Sequence, residues 1–74
     1  MRRDFKRSLS IAGHRTSLSL EPEFWQALQQ AADRRNTSVS ALVAEIDTSR
    51  GERNLSSAAR VWLLAELQGL LRGR

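Results

Sequence analysis

The hydrophobic period of this chain changes at a single proline. Before Pro22, the residues Thr16, Leu18 and Leu20 alternate with Arg15, Ser17 and Ser19, the period-two pattern of a strand with one apolar and one polar face. After it, Phe24, Leu28, Ala31 and Ala32 recur at helical spacing, and Val39, Leu42, Val43 and Ile46 form a second stripe beyond a polar break. A third band, Leu55, Ala58, Ala59, Trp62, Leu63, Leu67, Leu70 and Leu71, is widened by Val61 and Leu64. The pattern predicts a strand over 15–20 and helices over 22–35, 38–48 and 55–71. These make a single domain, 1–74, that is mainly α with a short β ribbon.

Local chemistry sets the boundaries. Pro22 suits a first helical turn, and Glu21 and Glu23 sit at the positive end of that helix's dipole. Arg34 and Arg35 stand at its negative end, and Asn36 suits a left-handed cap. Thr37 or Ser38 can cap the second helix. The polar run TSRGERN, residues 48–54, carries Gly51 and reads as a turn, after which Asn54 can cap the third helix. Gly69 weakens the last turns by about 1 kcal/mol relative to Ala, so fraying is expected beyond it.

A strand of about five residues needs a neighbour for its backbone groups. A second copy of the chain is the simplest source, giving an antiparallel ribbon across a two-fold axis. Residues 8–11, SLSI, alternate as SLSL does, so residues 1–14 are either a basic arm or carry an extra strand, joined to the first by a four-residue loop, 12–15. Two such hairpins in one flat sheet would span about 14 Å between outer strands at ~4.8 Å spacing. A major groove is about 12 Å wide, which leaves Lys6, Ser8 and Ser10 as alternative readers of any DNA.

The runs RTSLSL, EPEFWQALQQAADRR and NTSVSALVAEI resemble, in that order, the ribbon and two helices of the ribbon-helix-helix family of DNA-binding proteins. The longer run RSLSIAGHRTSLSLEPEFW is similar to a bacterial branch of that family with a third C-terminal helix. The resemblance implies an intertwined ribbon-helix-helix homodimer plus a third helix, with double-stranded DNA as partner. It implies base reading by Arg15, Ser17 and Ser19, and phosphate contacts from the second helix start, at Thr37, Ser38 and Ser40. The apolar residues Leu18, Leu20, Phe24, Leu28, Val39, Leu42, Val43, Ile46 and Trp62 are then expected in a dimer core, with the broad third helix wrapped across it.

Charge distribution agrees. Residues 1–15 hold Arg2, Arg3, Lys6, Arg7 and Arg15 against Asp4, which equals the net +4 of the whole chain; residues 16–74 balance at seven Arg against seven acids. That footprint suits a polyanion, and Arg2, Arg3, Lys6 and Arg7 are phosphate-contact candidates.

Other chemistry is thinly represented. The chain has no cysteine, and its only histidine, His14, lacks companions for a metal site and suits a turn or a phosphate contact. No triad, phosphate-binding loop or dinucleotide fingerprint is present, so no enzyme and no cofactor is expected. MRRDFKR lacks the apolar run of a secretory signal, and the longest apolar run, residues 61–65, is too short to cross a bilayer. A cytoplasmic, nucleoid-associated protein without membrane partners is the expectation. Three functions fit: a repressor of transcription, an antitoxin that binds its own operator and a toxin, or a protein-protein adaptor that kept the fold.

Overall fold

The computed structural model describes residues 5–73. They form β1 (Lys6–Ile11), β2 (His14–Ser19), α1 (Pro22–Arg34), α2 (Val39–Thr48) and α3 (Leu55–Gly73). The strand expected to pair across a two-fold axis finds its partner inside the chain. β1 and β2 are antiparallel, with Lys6 opposite Ser19, Ser8 opposite Ser17 and Ile11 opposite His14. The connection is tighter than the four-residue loop anticipated over 12–15. Only Ala12 and Gly13 turn, at φ 51° and 88°, and His14 and Arg15 already belong to β2. Two consecutive left-handed residues give the mirror-image turn whose twist matches that of the flanking strands. Gly13 reaches that region without steric cost.

The helix ends follow local signals. Pro22 opens α1, and Asn36, at φ 59°, closes it: the Asn36 amide donates to the Asp33 carbonyl and the Thr37 amide to the Ala32 carbonyl at 2.9 Å. That pair of bonds satisfies carbonyls the helix leaves open. Of the two cap candidates for α2, Ser38 does the work, its Oγ accepting from the Ala41 amide at 3.0 Å. Asn54 caps α3 by accepting from the Ser57 amide at 2.8 Å. α3 continues through Gly69 to Gly73, past the point where fraying was expected.

The core is contributed by every element. Ile11, Leu18 and Leu20 come from the ribbon; Trp25, Leu28, Ala31 and Ala32 from α1; Leu42, Val43 and Ile46 from α2; and Ala58, Ala59 and Leu63 from α3. β1 packs on α2, β2 on α3, and α3 also closes over α1 and α2. Six of the side chains assigned to a dimer core, Leu18, Leu20, Leu28, Leu42, Val43 and Ile46, are therefore covered by their own chain. The reason is the hairpin, which supplies a second strand, together with α3, which lids the layer beneath it. The remaining three, Phe24, Val39 and Trp62, are half-buried at its margin.

On α1, Leu28, Ala31 and Ala32 are buried together with Trp25, and Phe24 is half-buried against the same core. The Trp25 indole N–H donates to the Phe5 carbonyl at 3.0 Å and the Arg7 guanidinium lies over its ring. On α3, Leu67 and Leu71 join Val61 and Leu64 in solvent instead of covering a core. One side of the helix is all that the body beneath it can cover.

Candidate nucleic-acid interface

In an antiparallel pair, residues directly opposite share a face. The register therefore divides the ribbon into two surfaces. Leu9, Ile11, Thr16 and Leu18 turn toward the helices, and Leu18 is fully buried. Lys6, Ser8, Ser10, Arg15, Ser17 and Ser19 turn away from them, and every one of the six is exposed. The two sets of readers that the sequence left as alternatives, 15–17–19 and 6–8–10, thus occupy one surface. Ser8 faces Ser17, Ser10 faces Arg15 and Lys6 faces Ser19.

That surface has an uncommon electrostatic composition. The ribbon from Lys6 to Ser19 contains no Asp or Glu, and Arg15 has no ion-pair or hydrogen-bond partner among the described residues. Four hydroxyls, a guanidinium and an ammonium group make a donor-rich strip two strands wide. At ~4.8 Å between strand axes, a two-stranded ribbon fits a major groove about 12 Å across. The width problem raised by a four-stranded sheet does not arise for one hairpin.

The arginines of the helical body are arranged differently. Arg60 meets Glu21 at 3.1 Å, Arg35 meets Glu66 at 2.8 Å with Arg34 at 3.7 Å from the same carboxylate, and Arg50 pairs with Asp47. The Glu21 carboxyl is held below its usual pKa, first by its own backbone amide and then by Arg60. Three cations also cover aromatic rings: Arg7 on Trp25 at 4.7 Å, Arg35 on Trp62 at 4.9 Å, and Arg60 on Phe24 at 5.6 Å. No local pattern signals these contacts, since the partners of Arg35 and Arg60 lie far along the chain.

The other phosphate candidates are dispersed. Arg7 lies on the helix side of the ribbon, apart from Lys6, because successive strand residues point to opposite faces. Arg2 and Arg3 lie outside the described residues. Ser38 is exposed at the start of α2; its oxygen accepts from the Ala41 amide, which leaves its O–H as a donor, and Thr37 and Ser40 beside it are half-buried. Asp33 borders the same shallow depression as Asn36, Thr37 and Ser38. His14 sits at the turn end of the ribbon, exposed, near Arg15, Asp47 and Arg50. No group of acids and histidines among the described residues is arranged to hold a metal ion, and no described helix is long and apolar enough to cross a membrane.

Comparison with known proteins gives one family. Searches of curated proteins and of solved structures returned no match. The family description "Ribbon-helix-helix domain" matches residues 5–67, which takes in both strands, α1, α2 and most of α3. An antiparallel ribbon followed by helices is the architecture that description names, and this chain belongs to the ribbon-helix-helix family, whose members are in general DNA-binding regulators.

Proposed function

We propose that this protein is a sequence-specific transcriptional regulator, a repressor, which acts as a homodimer on duplex DNA in the bacterial cytoplasm and nucleoid. The observation that carries this reading is the acid-free outer face of the ribbon, six exposed polar side chains on paired strands. Arg15 is the guanine reader, since its planar fork matches the two acceptors that guanine shows in the major groove. Ser17 and Ser19, with Ser8 and Ser10 across the ribbon, bond neighbouring base edges or phosphates. Lys6 at the open end of the hairpin contacts the backbone. Thr37, Ser38 and Ser40 bring the amides at the start of α2 to a phosphate, as any helix N-terminus can.

Selection from a random duplex pool tests this directly. The expected product is an enriched site with two symmetric half-sites, and Arg15→Ala should relax selection at one base pair in each. A pool that emerges unenriched at low salt would overturn the reading.

A further inference from the structure

The two ends of the ribbon are closed by different means. At one end Ala12 and Gly13 join the strands covalently. At the other, the Phe5 carbonyl accepts from the Leu20 amide at 3.4 Å, longer than a good backbone hydrogen bond, and from the Trp25 indole N–H at 3.0 Å. The tighter of the two bonds therefore comes from α1 and not from the neighbouring strand. Trp25 stands near the start of α1 and is buried, and the face of its ring is covered by the Arg7 guanidinium, 4.7 Å from the centroid. One indole thus holds the residues on both sides of Lys6, Phe5 by its edge and Arg7 by its face. Strand alternation sends the Lys6 side chain the opposite way, onto the outer surface where it faces Ser19.

We propose that Trp25 is a positioning residue for binding the DNA backbone: by bracketing Lys6 it holds the open end of the ribbon in the register that sets the Lys6 ammonium against a phosphate. The inference rests on the DNA reading above and adds to it a buried residue that touches no DNA. Its physical basis is entropy. A strand end closed by one long ladder bond frays, and each backbone residue that must be re-ordered on binding weakens a complex by about 5- to 30-fold. Arg15, two residues from Gly13, has the covalent turn to hold its backbone. Lys6, at the far end, has Trp25. A lysine also depends more on its backbone for placement, since its ammonium is a point charge on a flexible stem without the rigid fork of a guanidinium.

A double-mutant cycle on DNA affinity separates positioning from packing. Trp25→Phe keeps an aromatic face for Arg7 and removes the indole N–H, while Lys6→Gln removes the ammonium. On the duplex enriched by selection, each variant alone should lower affinity about 5-fold or more and reduce the slope of log affinity against log salt by about 0.9, one phosphate contact, with base preference unchanged. Combined, they should bind no more weakly than the weaker single variant, because the contact that Trp25 supports is already gone. Hydrogen exchange reads the bracket without DNA: in Trp25→Phe the Leu20 amide, which shares the Phe5 carbonyl, should exchange faster while the Leu42 amide in α2 does not. A synthetic chain with benzothienylalanine in place of Trp25 keeps the shape of the indole and lacks only its N–H, and it carries the same expectations where phenylalanine compromises folding. Additive losses in the cycle, or a salt slope that loss of the N–H leaves unchanged, would make Trp25 a packing residue and overturn the proposal with the DNA reading intact. A native chain that binds no duplex at low salt would overturn both.

Discussion

The guanidinium of Arg15 on the ribbon and those of Arg34, Arg35, Arg50 and Arg60 in the helical body have opposite fates. Arg34, Arg35, Arg50 and Arg60 each find a carboxylate, at helix ends or between elements distant in sequence. Arg15 stands on a strand pair that has no acid at all. Charge in the body is neutralised where it fastens α3 to α1 and to the ribbon-helix junction, while the Arg15 guanidinium is left exposed on the acid-free outer face of the ribbon. A face of that composition is suited to an extended polyanion docking against it.

Substitution on the two ribbon faces should separate folding from recognition. The largest effect belongs to the buried face: Leu18→Ala should destabilise the protein by about 2 to 5 kcal/mol in urea unfolding, through the lost methyl groups and the cavity left behind. DNA binding should fall only in proportion to the unfolded fraction. Arg15→Ala is the converse case. Its unfolding free energy should stay within about 0.5 kcal/mol of the native value, while discrimination at one base pair per half-site drops by about 1 to 3 kcal/mol. If Arg15→Ala instead lowered stability and spared specificity, the contrast between the faces would collapse.

Ser38 belongs to both categories and can divide them. Ser38→Ala should cost about 1 kcal/mol of stability by removing the cap acceptor for the Ala41 amide. Ser38→Asp keeps an acceptor there but introduces negative charge where a phosphate is expected. It should retain stability and weaken binding to all duplexes alike. The smallest effect is on the body's side. Glu21 has a lowered folded pKa, so its contribution to stability is present above the ordinary carboxylate pKa and is lost as pH falls through and below it. Glu21→Gln should make the acid limb of a stability-versus-pH curve slightly shallower and leave neutral-pH DNA selectivity intact. The change is small because the carboxylate is solvated.

What could be read from the chain without its fold was whatever a few neighbouring residues decide together. Pro22 at a first turn, Asn36 in the left-handed region, and Ser38 and Asn54 as caps all act over one to five residues, and each does so here. The alternation of Arg15, Ser17 and Ser19 against Leu18 likewise fixed which face could be wet, since strand side chains alternate whatever the partner strand is.

The partner strand itself was a tertiary decision. A second copy and the SLSI segment satisfy the same backbone donors, and the choice falls to a two-residue turn at Ala12 and Gly13 that keeps both strands in one chain. The same holds for α3, whose broad apolar band showed that it would pack but not which stripe would be covered. The body accepted Ala58, Ala59 and Leu63, small residues permitting close approach and one large one filling the gap, and left Leu64, Leu67 and Leu71 outside. Periodicity reports how much apolar surface a helix presents. Only the shape of what it packs against determines which part of that surface is removed from water.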